Sequence, residues 1–145
     1  MGVRYKLIDV NVDEQRQPSE DAEALVCRLA FTKAEAGMYR VDDGVVLGSD
    51  TVVVFGDRVL GKPSSIDDAE EILAMLSSKE HEVLTAVTLY AQERTETVLS
   101  RTKVTFKSLS SAEIKHYVES GEPLDKAGAY GIQGLAGAFV KSICG

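Results

Sequence analysis

Apolar residues follow two periods along the chain and predict strands that alternate with helices. Alternation over residues 5–12 predicts a first strand, and a nearly continuous β-branched run over residues 45–55 predicts a strand buried on both faces. A Gly-Asp turn then leads into a short return strand over residues 58–60. Two longer runs, over residues 82–91 and 95–107, predict a hairpin, and Ala138 begins the last strand.

Three segments with helical spacing lie between these strands. Ser19 is the predicted N-cap of a first helix, whose apolar stripe ends near Gly37. A second helix is predicted over residues 67–77, and a capping box over residues 110–113 begins a third. The order of elements predicts an α/β fold, a mixed β-sheet flanked by helices, that forms a single domain over residues 1–145.

Charge and composition limit the classes of function. A formal net charge of −7 argues against nucleic-acid binding, because phosphate backbones are bound by clustered Lys and Arg. No apolar run approaches the roughly 20 residues that span a bilayer, so we expect no membrane partner. Cys27 and Cys144 are too few for a disulfide framework, and we expect both to be free thiols in a reducing cytoplasm.

Residues 125–134 combine small side chains with an acid, an amine and an amide. Glycines recur there at every third position, which lets the backbone reach positive φ or approach a ligand closely. Lys126 adds a cation, and Gln133 adds an amide that both donates and accepts hydrogen bonds. The pattern predicts a binding loop for an anionic, hydrogen-bonding molecule; the alternative is a glycine-rich linker between two strands.

The charged residues at turns and strands suit a metal-bound polyphosphate. Mg²⁺ prefers one or two carboxylates together with phosphate oxygens and water, while lysines neutralise the remaining charge of a triphosphate. Asp50, inside the apolar run, is the candidate base, because a buried carboxylate beside a metal can accept a proton. The other candidates are Glu14, Asp125, Lys33, Lys62, Lys126 and Gln133.

Each candidate also has a purely structural interpretation. Asp50 could accept hydrogen bonds from backbone amides of the following turn, and Glu14 and Asp125 could be solvated turn residues. Lys62 could be an ordinary surface lysine in a loop. His81 and His116 are expected to be structural, and the chain has no Ser-His-Asp, Cys-His or paired-histidine spacing that would predict covalent hydrolase chemistry or a zinc site.

Five blocks of sequence, spread over the whole chain, carry a more specific pattern. They are Val12-Asp13-Glu14, Leu47-Gly48-Ser49-Asp50-Thr51-Val52-Val53, Leu60-Gly61-Lys62-Pro63, His81-Glu82-Val83-Leu84-Thr85-Ala86-Val87 and Gly121-Glu122-Pro123-Leu124-Asp125-Lys126-Ala127-Gly128-Ala129-Tyr130-Gly131-Ile132-Gln133-Gly134. In this order they resemble the Maf nucleotide pyrophosphatases, also called Maf-like septum formation inhibitors, whose fold is of the Maf/ITPase type. Five blocks in one order are much more specific than any one of them.

The resemblance implies hydrolysis of a nucleoside triphosphate between its α and β phosphates, with Mg²⁺, Mn²⁺ or Co²⁺ as the cofactor. It implies that Asp50 is the catalytic proton acceptor and that Glu14 is a second catalytic carboxylate linked to the metal, so that both are candidate metal ligands. Lys33, Lys62 and Gln133 correspond to the substrate-binding set of the family. The implied cellular role is a house-cleaning nucleotide hydrolase connected with septum formation.

The block around Gln133 is similar to the branch of the family that acts on dTTP and UTP. The sister branch, which prefers 7-methyl-GTP, usually has a glutamate at this position. An amide can donate as well as accept, so it suits the carbonyls of a pyrimidine better than a carboxylate does. Removal of modified pyrimidine nucleotides is an alternative enzymatic role.

Relative to the resembled family, we expect this chain to be truncated at both ends. Members usually begin with a strand that ends in Ser-x-Ser-Pro-Arg-Arg, which holds the triphosphate, and they continue past Gly145 into a Val-Val-Gly-Leu-Pro stretch and a terminal helix. Unpaired strand edges would favour a homodimer. The alternative function is a catalytically impaired remnant that binds a nucleotide or acts as an interaction protein in cell division.

Overall fold

A computed structural model describes residues 4–145 of the chain. The helices are α1 (Ala22–Met38), α2 (Ile66–Leu76) and α3 (Ser111–Glu119). The strands are β1 (Val46–Phe55), β2 (Arg58–Leu60), β3 (Glu80–Tyr90), β4 (Thr95–Phe106) and β5 (Val140–Cys144). Three short 3₁₀ helices, Glu122–Asp125, Ala127–Ala129 and Leu135–Phe139, connect α3 to β5. Among the helices of residues 4–145, none is long and apolar enough to cross a membrane.

The five strands form one antiparallel sheet in the order β2-β1-β3-β4-β5. Val53 is opposite Leu60 in the β1–β2 pair, and Val104 is opposite Ile143 in the β4–β5 pair. The predicted α/β class is therefore confirmed. The mixed character expected of the sheet is not seen among the described strands, because tight turns connect β1 to β2 and β3 to β4, and such turns make antiparallel neighbours.

The strand predicted over residues 5–12 does not form among the described residues. The segment keeps the predicted alternation, with Ile8, Val10 and Val12 half-buried, but it has no ladder of hydrogen bonds to another strand. The reason is physical: alternation reports which side chains face the protein, whereas a strand also needs a hydrogen-bonded neighbour. The prediction was right about the buried face and wrong about the strand.

β1 is buried on both faces only in its second half. Val46 and Gly48 are buried while Leu47 between them is 62% exposed, so the first half of the strand alternates. Val52 and Val53 are then buried in succession. The prediction of two buried faces is thus wrong for the first half, since β-branched composition alone does not distinguish one covered face from two.

The helices begin at identifiable caps, and one cap differs from the prediction. Asp21, not Ser19, is the N-cap of α1, and its carboxylate accepts a hydrogen bond of 2.8 Å from the Ala24 amide. Ser19 has φ of +64° and belongs to the preceding turn, so it is not available as a cap. The predicted capping box of α3 is confirmed, with both reciprocal hydrogen bonds between Ser110 and Glu113.

The chain divides into two compact units. The first contains residues up to Asp50 together with 86–99. In it α1 packs on the beginning of β1, and the closest approach is at Gly48: a Cβ there would overlap the Ala30 carbonyl oxygen and the Ala34 amide nitrogen. Glycine is therefore required where α1 meets β1. The buried residues of α1 are Leu25, Val26, Leu29, Ala30, Ala34 and Gly37.

The second unit contains residues 51–85 and 100–145. Its core joins α2 and α3 to strand residues and to the 3₁₀ segments, and Phe106 is among its most completely buried side chains. Phe106 makes edge-to-face contacts with the rings of His81, Tyr130 and Phe139. This aromatic cluster contacts the middle of the glycine-rich segment through Tyr130.

Candidate active site

Three of the predicted site residues meet in the first unit. The ammonium of Lys33 lies between two carboxylates, with its Nζ 2.6 Å from Asp50 Oδ1 and 2.7 Å from Glu14 Oε1. The side chains of Asp50 and Lys33 are 13% and 21% exposed, and that of Glu14 is 44% exposed. We call these three residues the acidic cluster. It is half-buried, with Glu14 on the side nearest to water.

The sequence brings Lys33 to Asp50 through the close contact of α1 with β1. Gly48 and Asp50 are two residues apart, so they point to the same face of the strand. Lys33 lies one helical turn beyond Ala30, the residue whose carbonyl contacts Gly48. The helix therefore delivers a lysine to the position where the strand presents a carboxylate. A cation at the edge of an apolar helix stripe is the sequence signal for this arrangement.

Glu14 lies on a segment without regular structure, and an ion pair holds that segment. Arg28 of α1 donates from Nη2 to the backbone carbonyl of Gln15 at 2.9 Å, and from Nε to Glu20 Oε1 at 2.6 Å. Glu20 in turn accepts from the backbone amide of Gln17 at 3.0 Å. The hydrogen bond from Arg28 is the main cause that lowers the pKa of Glu20 to about 2. The Arg28–Glu20 pair thus binds the backbone of Gln15 and of Gln17, which follow Glu14 in the chain.

The charges of the acidic cluster favour a further cation. One ammonium and two carboxylates sum to a single negative charge. Burial alone would lower the pKa of Lys33, but its hydrogen bonds to Asp50 and Glu14 outweigh burial and raise that pKa above the usual value. The lysine is therefore charged at every physiological pH, and a negative triphosphate that approached this point would meet two carboxylates.

Asp50 is bonded to a side chain and not to the backbone amides of the next turn. Its Oδ1 accepts from Lys33, and no described residue donates a hydrogen bond to its Oδ2. The structural interpretation of Asp50 as a carboxylate capped by backbone amides is therefore not seen. One carboxylate oxygen is oriented by a cation, and the second oxygen is able to accept a proton.

The donor set fits a hard divalent cation only in part. Residues 4–145 contain no group of three or more His, Cys, Asp or Glu that could hold a metal on their own. Glu14 and Asp50 supply two carboxylates at one point, which matches the one or two that Mg²⁺ takes when phosphate oxygens and water complete its coordination. The two residues could therefore hold a metal that arrives with a phosphate ligand.

Three other candidates meet in the second unit. Lys126 Nζ lies 2.6 Å from Asp125 Oδ1, and this hydrogen bond is the main cause that lowers the pKa of Asp125; the charge of Lys62 adds to it. The amide of Gly128 donates to the carbonyl of Gly61 at 3.0 Å, which ties the glycine-rich loop to the segment that carries Lys62. Lys62, Asp125 and Lys126 thus lie on adjoining loops, close enough for the charge of Lys62 to act on Asp125.

The space beside each glycine of the loop is filled by another side chain of the same protein. Gly128 has φ of +67° and packs on Val53, whose Cγ2 would lie 2.8 Å from an added Cβ. Gly131 leaves room for the stem of Lys126, and Gly134 leaves room for the carboxylate of Glu122. The positive φ predicted for this loop occurs at Gly128, but close approach at the other two positions is by protein atoms. Gln133 is exposed on the turn between them.

His81 is buried, as its structural interpretation predicts. Its Nε2 lies 2.8 Å from the Tyr130 hydroxyl, while its Nδ1 is buried with no hydrogen-bond partner among the described residues. Burial lowers the pKa of His81 to about 4, so the ring is neutral at physiological pH. His116 is exposed on α3.

Sequence reasoning missed the residues that hold the candidate side chains in place. Glu20 and Arg28 are eight residues apart, and no local spacing rule pairs them. Glu122 belongs to a block that resembles the Maf family, yet nothing in its local sequence indicates that its carboxylate binds backbone. For the Glu20–Arg28 pair and for Glu122, the useful sequence signal is a charged residue next to a segment that carries a candidate ligand.

The comparison with known proteins agrees with the five sequence blocks. The chain matches the family described as "Maf-like protein" over residues 1–145. A Shewanella frigidimarina protein named dTTP/UTP pyrophosphatase is 53% identical over 144 residues, which cover 97% of this chain and 74% of that protein. Proteins with the same name from Vibrio parahaemolyticus and Photobacterium profundum are 47% and 45% identical, cover 100% of this chain, and are themselves covered over 77% and 78% of their lengths. The chain therefore belongs to the Maf-like protein family.

Proposed function

We propose that this protein hydrolyses dTTP or UTP to the nucleoside monophosphate and pyrophosphate, with a divalent cation as cofactor. The observation that carries the proposal is the acidic cluster, in which Lys33 Nζ contacts both Asp50 and Glu14 within 2.7 Å. The names of the relatives, which are 45% to 53% identical, support the same reaction and substrates. Removal of modified pyrimidine nucleotides uses the same chemistry on a different base.

Asp50 is the proposed general base. Its Oδ1 is held by Lys33, so Oδ2 takes the proton of a water as the water oxygen bonds to a phosphorus atom of the α–β anhydride. The bond from that phosphorus to the bridging oxygen breaks, which yields the nucleoside monophosphate and pyrophosphate. Lys33 has three N–H donors and uses two for the carboxylates, so the third can bind a phosphate oxygen.

Glu14 and Asp50 are the proposed ligands of the divalent cation. When bound, the cation neutralises phosphate charge and lowers the pKa of a bound water. The two adjacent carboxylates support this assignment, since a triphosphate needs a cation to approach them. Arg28 and Glu20 keep the segment that carries Glu14 in place.

Lys62, Lys126 and Gln133 are the proposed substrate-binding residues of the second unit. The two lysines supply ammonium groups, which bind phosphate oxygens as point charges. The Gln133 amide can donate to a carbonyl of a pyrimidine and accept from its N–H. Because a lost hydrogen bond leaves a polar group unpaired, such a contact discriminates strongly between bases.

Pyrophosphate release tests the proposed reaction. We expect purified protein to release pyrophosphate from dTTP and UTP with Mn²⁺, and Asp50→Asn to lower kcat/KM on the order of 100-fold or more. Asp57→Asn is the matched control, because Asp57 is an exposed aspartate in the turn after β1. Release that survives in Asp50→Asn would contradict the assigned base. Absence of release from the folded wild-type chain would favour the nucleotide-binding remnant.

Calorimetry tests the metal assignment separately from turnover. Titration of Mn²⁺ with a non-hydrolysable UTP analogue is expected to show binding that weakens about tenfold or more in Glu14→Gln and in Asp50→Asn. Glu96→Gln, near the start of β4 in an exposed ion pair, is the control for loss of one carboxylate. Equal affinity in all four proteins would exclude Glu14 and Asp50 as the metal ligands.

A further inference from the structure

The carboxylate of Glu122 binds two donors that lie at either side of the turn that carries Gln133. Its Oε1 accepts a hydrogen bond of 3.0 Å from the Tyr117 hydroxyl, and its Oε2 accepts one of 3.1 Å from the backbone amide of Leu135. Glu122 is half-buried at the start of a 3₁₀ helix. Both carboxylate oxygens are therefore used, one by a side chain and one by backbone.

Tyr117 extends this contact to the beginning of the same turn. Its hydroxyl donates to Glu122 and accepts a long hydrogen bond of 3.4 Å from the backbone amide of Gly131. The ring is 4% exposed and packs edge-to-face against Phe139, so α3 holds it firmly. Burial, followed by the hydrogen bond to Glu122, raises the pKa of the phenol, which keeps its proton and its role as a donor.

Gly134 makes room for the carboxylate. A Cβ at Gly134 would overlap the carboxylate oxygens of Glu122, and a Cβ at Gly131 would lie 3.7 Å from Oε1. The backbone of the turn is also closed on itself, because the Gly134 amide donates to the Gly131 carbonyl at 3.0 Å. Gln133 therefore lies in a tight turn whose two ends are fastened to one carboxylate, directly and through a phenol.

We propose that Glu122 and Tyr117 are positioning residues that set the place of Gln133 and thereby the preference for the base of the nucleotide. This inference rests on the proposed contact of Gln133 with the base. The Gln133 side chain is exposed, so its backbone must be fixed by other groups if its amide is to discriminate. Binding of one carboxylate to both ends of the turn supplies that fixation.

The proposal requires a carboxylate and not merely a side chain of this size. Both Glu122 oxygens receive donors, a hydroxyl and a backbone N–H. Glu122→Gln replaces one acceptor by an NH₂ group, so one donor then faces another donor. The substitution is isosteric and keeps the packing at Gly134, which separates the loss of an acceptor from the loss of volume.

The test compares base preference in single and double variants. We expect Glu122→Gln to lower the ratio of kcat/KM for UTP to that for GTP about tenfold, and to have no further effect in a Gln133→Ala background. Gly134→Ala adds a Cβ that displaces the Glu122 carboxylate, so it should lower the same UTP-to-GTP ratio by a similar factor. Glu119→Gln, an exposed carboxylate at the end of α3, is the matched control and should keep the wild-type ratio.

Amide hydrogen exchange supplies a readout that does not depend on turnover. Glu122→Gln and Tyr117→Phe should speed exchange at Leu135 and at Gly131 respectively, while the exchange of β4 amides stays unchanged. An unaltered UTP:GTP ratio in Glu122→Gln, with an altered ratio in Gln133→Ala, would overturn this inference alone. An unaltered ratio in Gln133→Ala would overturn the proposed base contact and the inference together.

Discussion

The acidic cluster and the turn that carries Gln133 both depend on a half-buried carboxylate, but they use it differently. Asp50 binds the ammonium of Lys33, so its partner is a charged side chain. Glu122 binds a phenol and a backbone amide, so its partners are neutral. The first arrangement orients charged side chains toward each other, and the second fixes the conformation of a turn.

This difference predicts different sensitivities. Removal of a charge should affect the acidic cluster most, because its members interact through opposite charges over less than 3 Å. An added methyl group should affect the turn most, because Glu122 fills the space that Gly134 leaves open. Substitutions that change mainly charge or mainly volume should therefore separate the two regions.

Lys33→Met should have the largest effect, because it removes the cation shared by two carboxylates. We expect kcat/KM for UTP to fall on the order of 1000-fold while the chain stays folded, since the loss combines Asp50 orientation with a phosphate contact. Lys126→Met, which removes a half-buried lysine paired to its neighbour Asp125, should lower kcat/KM about tenfold. Steady-state kinetics with both variants checks this order.

Lys103→Met is the control for loss of a lysine. Lys103 pairs at 3.3 Å with Glu80 on the surface, and both side chains are more than half exposed. Its removal should leave kcat/KM unchanged. If Lys33→Met and Lys126→Met lowered kcat/KM equally, the acidic cluster would be no more sensitive to the loss of a charge than the loop that carries Lys126.

Gly48→Ala should lower the stability of the first unit more than any surface substitution. The new Cβ would overlap backbone atoms of α1, so the helix must move away from β1. We expect the free energy of unfolding to fall by about 3 kcal/mol, measured by urea denaturation. Gly61→Ala is the control, because a Cβ at Gly61 would have no neighbouring atom within 4 Å. This control should change stability by less than about 0.5 kcal/mol.

His81 should make the stability of the second unit depend on pH. Its pKa falls from 6.5 to about 4 through burial, with the charge of Glu80 opposing the shift slightly. Between pH 4 and pH 6.5, His81 is therefore protonated in the unfolded chain and neutral in the folded chain. Stability is fully present above pH 6.5 and is lost as pH falls toward 4, by on the order of 2 kcal/mol.

Urea denaturation between pH 4.5 and 7 measures this dependence. His81→Asn should flatten the slope, because it removes the titrating ring. Phe106→Leu, which weakens the same aromatic cluster without a titrating group, should lower stability by a similar amount at every pH. A slope that His81→Asn leaves intact would assign the pH dependence to other groups.

The sequence predicted most elements of this fold, because caps and turns are local. The capping box of α3 and the short return strand β2 are formed by residues within a few positions of each other. The failed strand over residues 5–12 depended on a hydrogen-bonded neighbour elsewhere in the chain, which alternation cannot report. Local signals thus predicted elements well and pairing poorly.

For the site, the sequence predicted the chemical groups better than their supports. Glu14, Lys33 and Asp50 were identified from residue type and resemblance, and the structure brings these three together. Glu122 and the Arg28–Glu20 pair act through contacts between distant positions, so no spacing rule finds them. The expected homodimer and the divalent-metal cofactor stay predictions.

Arg28→Met has one of the two smallest predicted effects on kcat/KM and is the sharpest test of indirect positioning. Arg28 touches neither Asp50 nor Lys33 but holds the backbone beside Glu14, so we expect kcat/KM to fall about tenfold. In a Glu14→Gln background the same substitution should have almost no further effect, because the residue it positions is already disabled. Arg94→Met, in an exposed ion pair of the β3–β4 hairpin, should be neutral in both backgrounds. If the losses of kcat/KM caused by Arg28→Met and by Glu14→Gln were additive instead, Arg28 would stabilise the fold without acting through Glu14.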